Sequence, residues 1–151
     1  MTATQRLYTI GFTQKSAERF FGLLAEAGVR RLVDTRLKPG GQLAGFANGR
    51  DLPYFLDRLA GGCGYVHLPT LAPTPAILGD YRTDGDWNRY VARFEALMDE
   101  RGVPGILDRD AFLRAPNCLL CSEATPEQCH RRLVAERLQR VWGDLEVVHL
   151  T

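Results

Sequence analysis

Short apolar runs alternate along this chain with stretches of helical period, and that alternation admits few folds. Residues 7–10 end at Gly11 and read as a first strand, residues 29–34 end at Asp34, and residues 64–68, 117–121 and 146–150 have the same strand-like pattern. Between the first two, Phe20, Leu24 and Ala27 form one stripe of a helix over residues 17–27, with Ser16 as its cap and Gly28 as its stop. Asp51 opens a short helix to Ala60. Trp87, Tyr90, Val91, Phe94, Leu97 and Met98 then repeat at helical spacing up to Gly102. Residues 126–142 read as the last helix; Val134, Leu138 and Val141 mark its buried stripe, with His130 on it, Arg131 beside it and Cys129 on the opposite flank. Residues 37–50 and 69–85 are rich in glycine and proline and read as long loops, the second with one helical turn near residues 76–81. Residues 103–116 are ambiguous, with a helical turn near residues 110–114.

This order implies a three-layer α/β fold: a mostly parallel sheet of about five strands with helices on both faces, Rossmann-like or flavodoxin-like. A chain of 151 residues reads as a single domain, able to bury about two-thirds of its unfolded surface. The net charge of +1 gives no global attraction to nucleic acid or anionic membrane. No run approaches the roughly 20 apolar residues of a membrane span. Four cysteines without a secretory signal point to reduced thiols in a cytoplasmic protein.

In such sheets ligands bind at the carboxyl ends of the strands. That rule gathers residues 11–13, Asp34, Arg36, His67 and residues 121–123 onto one edge. The densest chemistry lies in residues 119–131, where an apolar run delivers Cys121 and Glu123 to a turn ahead of Cys129, His130 and Arg131. Thr125-Pro126-Glu127-Gln128 fits a capping box, which places a helix start beside Cys121. A thiolate there is stabilised by the helix dipole and by Arg131. Cys121, Glu123 and His130 are therefore the candidate catalytic set, with the cysteine as nucleophile and the other two handling protons. Arg36, Lys38 and Arg131 are candidates to hold a phosphate or carboxylate, with Asp34 and His67 completing the substrate-binding set. Phe12, Phe46, Tyr54 and Tyr81 either stack on a base or pad the loops. No metal is expected: Cys118 and Cys121 stand three apart in a strand and face opposite sides, so they do not join Cys129 and His130 in one tetrahedral site. Each of these residues also has an ordinary structural use, and spacing alone does not choose between the two.

Thr9-Ile10-Gly11, Val33-Asp34-Thr35-Arg36, Gly64-Tyr65-Val66-His67, Leu120-Cys121-Ser122-Glu123, Cys129-His130-Arg131 and the closing Val148-His149-Leu150 occur in that order. Together they resemble the domain-of-unknown-function 488 family, over nearly the whole chain. The chain departs from that pattern at Phe12-Thr13, where histidine and serine are common, at Thr35, where valine is usual, and at residues 71–74, where many members have a glycine pair. The resemblance implies a compact α/β fold with a polar pocket and carries no settled reaction.

Two functions fit these readings. One is a thiol-dependent hydrolase or transferase acting on a nucleotide-like or phosphorylated substrate, or on a nucleic-acid base. Hydride transfer is disfavoured because no dinucleotide glycine fingerprint follows the first strand. The alternative is a non-catalytic nucleotide or nucleic-acid binding module using the same pocket. The expected partner is a small-molecule anion or nucleotide, with nucleic acid as a further option and no membrane; no cofactor is assigned.

Overall fold

The computed structural model describes residues 5–40, 45–123 and 125–151. Its strands are β1 (Gln5–Gly11), β2 (Arg31–Asp34), β3 (Gly64–His67), β4 (Asn117–Cys121) and β5 (Leu145–Leu150). The helices are α1 (Ala17–Ala27), α2 (Leu52–Leu59), α3 (Pro75–Asp84), α4 (Trp87–Arg101), α5 (Arg109–Leu113) and α6 (His130–Trp142). The strands form one sheet in the order β3-β2-β4-β1-β5, every neighbouring pair parallel. The expected three-layer α/β architecture is therefore what the chain adopts.

Strand alternation divides the core in two. On one face of the sheet Tyr8, Ile10, Leu32, Cys118 and Leu120 pack against Phe20 and Leu24 of α1 and Leu52 and Leu56 of α2. On the other, Leu7, Val33 and Leu119 meet Phe94 and Met98 of α4 and Val134 and Leu138 of α6. Central β4 is buried along its whole length, which is why residues 117–121 show no alternation of polar and apolar residues. Its register sets Cys121 beside Gly11, and Leu120 beside Asp34, so three strand ends arrive at one edge. Among the described residues no helix is long and apolar enough to cross a membrane.

Three elements differ from their sequence-based expectation. Residues 75–84, expected as loop with a single turn, form all of α3. Thr74 caps it by accepting from the Ile77 amide at 3.2 Å, Pro75 occupies its first turn, and Gly85 ends it at φ 66°. Its apolar stripe is nearly absent because Ile77 is its one buried residue. Residues 45–47 of the first expected loop form a 3₁₀ turn, while residues 41–44 lie outside the described residues.

The third difference matters most for the site. The helix expected from residue 126 begins at His130, and residues 125–128 are bends and turns ahead of it. Cys129, at the helix cap, is extended with φ −138° and ψ 139°. A local capping signal has yielded to tertiary contacts that pull Cys129 toward β4. The buried face of the helix is rotated accordingly: Arg131 is fully buried, whereas Val141, expected inside, is 61% exposed.

Candidate functional site

The end of β1 holds the turn after Cys121 in place. The Thr13 amide donates to the Ser122 carbonyl at 3.1 Å, and Gly11 lies so close to the turn that a Cβ there would overlap the Glu123 carbonyl oxygen. The glycine is needed for that close approach, not for an unusual φ. Against this turn sits Cys129, whose Sγ is in disulfide contact with Cys121 Sγ. The expectation of reduced thiols holds for Cys63 and Cys118, which are free and buried, and is corrected for this pair. Their Cα atoms are 7.6 Å apart, wider than the roughly 4.4–6.8 Å of ordinary disulfides. The backbone thus spaces them as two sulfurs converging on one point.

Arg131 lies beneath that point. Its Nη1 donates to Cys121 Sγ at 3.1 Å, to the Glu123 carbonyl at 2.7 Å and to Cys129 Sγ at 3.5 Å. The residue is 0% exposed, and among the described residues its Nε and Nη2 have no hydrogen-bond partner and it makes no ion pair with a carboxylate. Burial pushes its guanidinium down to about 10, which leaves it charged at neutral pH. A buried cation without a paired carboxylate is penalised by several kcal/mol; Glu123 and Glu127 offset part of this through space, and the groups hydrogen-bonded to it are two sulfurs and one carbonyl.

The arginine of the neighbouring strand end is placed differently. Asp34 is fully buried and accepts from Arg36 Nε at 2.9 Å, Arg36 Nη2 at 2.7 Å, the Arg36 amide at 3.1 Å and Tyr65 Oη at 2.7 Å. Arg36 Nη2 also donates to the Ala47 carbonyl at 2.7 Å, and its guanidinium stacks 5.3 Å from the Phe12 ring. His67 Nε2–H donates to the Arg36 carbonyl at 2.7 Å. Asp34, Tyr65 and His67 therefore fix the segment that leads to Lys38.

Thr35 connects the two networks. Its hydroxyl donates to the Leu120 carbonyl at 2.8 Å, and its carbonyl and hydroxyl oxygens share the Nε2–H of His130 at 2.8 and 3.0 Å. That pairing fixes the tautomer: the proton is on Nε2 and the lone pair on Nδ1. Burial, opposed in part by the Thr35 hydrogen bond, lowers the His130 pKa to about 4. The other two cysteines show what a structural thiol looks like here. Burial pushes Cys63 up to about 11 and Cys118 well above its usual range. His149, half-buried on β5, pairs through Nδ1 with the Thr9 hydroxyl at 2.6 Å and serves the sheet.

Above the sulfurs opens a cavity of about 390 Å³, within the range of small-molecule sites. Cys121, Cys129, His130 and Glu123 line its floor and near wall. Arg36, Lys38 and Arg82 add positive charge, and Tyr81 and Tyr90 supply aromatic surface. Tyr81 Oη donates to Gln128 Oε1 at 3.0 Å, tying α3 to the segment before α6.

Of the eight residues expected in the site, Cys121, Glu123, His130, Arg36 and Lys38 reach this cavity. Asp34 and His67 stand behind it as supports, and Arg131 sits under the sulfurs and not on the cavity wall. Of the loop aromatics, Tyr81 lines the cavity and Phe12 packs on Arg36, while Phe46 packs with Phe20 and Phe21 and Tyr54 is 60% exposed beside Phe55 and Arg58. Sequence reasoning missed Cys129, Arg82 and Tyr90 as cavity residues. The Thr-Pro start and Gly stop of α3 were the signal for Arg82; Tyr90 reads as an ordinary core position, and nothing local marks it.

No curated protein and no solved structure matches the chain. The profile of the domain of unknown function DUF488 matches residues 16–138. With most of the chain matched, including the Cys121–Arg131 segment, this protein belongs to the DUF488 family.

Proposed function

We propose that this protein is a thiol-dependent transferase or hydrolase acting on a small, anion-bearing substrate of nucleotide-like size. The observation that carries this reading is the buried Arg131 guanidinium, which donates to both sulfurs of the site and has no ion-paired carboxylate among the described residues. In the reduced protein it favours the Cys121 thiolate, and thiolate is the nucleophilic form. The thiolate attacks an electrophilic carbon or phosphorus at the cavity floor and forms a bond from sulfur to that atom. The leaving group departs with a proton from Glu123. Water, or an acceptor hydroxyl or amine, then gives its proton to Glu123 and displaces the sulfur, which restores the thiolate. Lys38 and Arg82 at the cavity wall suit an anionic group, and Tyr81 and Tyr90 suit a planar ring. His130, hydrogen-bonded to Thr35, positions the cysteine pair.

The test is covalent capture. Reduced protein is treated with p-nitrophenyl acetate, and the acylated residue is located by mass spectrometry in the presence and absence of AMP. Acylation at Cys121, slowed by AMP and abolished in Cys121→Ser, is the expected result. Acylation no faster than at Cys63 overturns the catalytic reading; AMP binding without it leaves a non-catalytic nucleotide module.

A further inference from the structure

The same cluster has a use that needs no substrate. Cys121 Sγ, Cys129 Sγ and a ring nitrogen of His130 all lie within 4.8 Å of one another. Cys118 faces the opposite core and lies outside this trio, as its strand spacing from Cys121 requires. Cys129 reaches Cys121 through the extended backbone that delays α6.

We infer that the reduced protein binds one zinc ion through Cys121, Cys129 and His130, with its fourth coordination position open to the cavity. Two thiolates and one imidazole are a ligand set of zinc sites that keep a position for water or substrate. The outer contacts fit. A ligating histidine ordinarily donates its other ring N–H to a carbonyl, and His130 donates Nε2–H to the Thr35 carbonyl, leaving Nδ1 for the metal. Arg131 Nη1 donates to both sulfurs, the kind of contact that keeps metal-bound thiolates deprotonated. On binding, a sulfur that is still protonated releases its proton to solvent, two Zn–S bonds and one Zn–N bond form, and the ion sheds the corresponding waters. Zinc and an attacked substrate need the same sulfur lone pairs. The zinc-loaded form is thus protected from thiol chemistry, whether or not the catalytic reading holds.

The experiment uses the full chain, reduced and kept anaerobic, with Co²⁺ and Zn²⁺ alone as probes. Cobalt binding is expected to give a thiolate-to-metal charge-transfer band with the strong visible absorption of a tetrahedral site, displaced by one equivalent of Zn²⁺. Cys129→Ser should weaken Co²⁺ binding by at least about a hundredfold, and Thr35→Val, which removes only an outer hydroxyl, by about tenfold. Cys63→Ser should leave binding unchanged. Zinc should also block alkylation of Cys121 by iodoacetamide. Absence of the band in the wild-type chain overturns the site, as does a band that survives Cys129→Ser at full affinity. Slow alkylation of metal-free Cys121 would sink the catalytic proposal alone; a missing cobalt band would sink this one alone.

Discussion

Arg36 and Arg131 are both buried guanidiniums at the same edge of the sheet, and they are held in opposite ways. Arg36 makes a bidentate pair with a fully buried aspartate, which a tyrosine hydroxyl also contacts. Arg131 has two sulfurs, one carbonyl and two donor atoms with no partner among the described residues. A paired buried charge is scaffold: it locks the β2 end and the segment toward Lys38. A buried charge whose partners are cysteine sulfurs is poised for an anion that exists only when a thiol is deprotonated.

The contrast can be broken by stability measurements. Asp34→Ala leaves Arg36 buried and unpaired, and urea denaturation should show a loss of about 3–5 kcal/mol. Arg131→Met replaces a poorly satisfied buried guanidinium with an apolar chain and should leave stability unchanged or raise it, by up to about 4 kcal/mol. A large loss in Arg131→Met comparable to that in Asp34→Ala would make the two arginines equivalent and erase the distinction. Acid sharpens it from the sulfur side. His130 titrates near 4 in the folded chain and near 6.5 when unfolded, so the unfolded state takes up the proton first. Stability of the metal-free, reduced protein should therefore fall as pH drops from about 6.5 to 4, by at most about 3 kcal/mol. In His130→Gln this part of the slope should flatten in thermal melts across that range. Gly11→Ala, which forces the Glu123 carbonyl away, should lower stability by about 2 kcal/mol and loosen Arg131 from the sulfurs. Tyr65→Phe removes a single hydrogen bond to Asp34 and should lose about 1 kcal/mol.

The architecture was legible because strand and helix periods are set by burial, and the cores on the two faces of the sheet are ordinary apolar packing. α3 was hidden because it buries one side chain and turns most of its surface to solvent and cavity, leaving only end signals to read. The start of α6 was misread for a different reason. Thr125-Pro126-Glu127-Gln128 is a sound local helix start, and the contacts of Cys129 and Arg131 with a strand eight to ten residues earlier outweigh it. Helical spacing puts Arg131 on the flank of a stripe through Val141, whereas the real buried face excludes Val141 and includes Arg131. Its partner is a sulfur, which no periodicity reports. The convergence of Cys121, Glu123 and Arg36 at one edge was legible from strand ends, and that of His130 from its place on the helix that starts beside Cys121.

The central claim is that Arg131 exists to hold a thiolate at Cys121. It is tested most directly by the pH dependence of Cys121 alkylation, followed by mass spectrometry in reduced, metal-free wild type and in Arg131→Met, with Cys63 and Cys118 as internal references. The wild-type midpoint is expected at least about one pH unit below the free-thiol value near 8.5, moving to that value or above it in Arg131→Met. Superimposable profiles for the two proteins would contradict it.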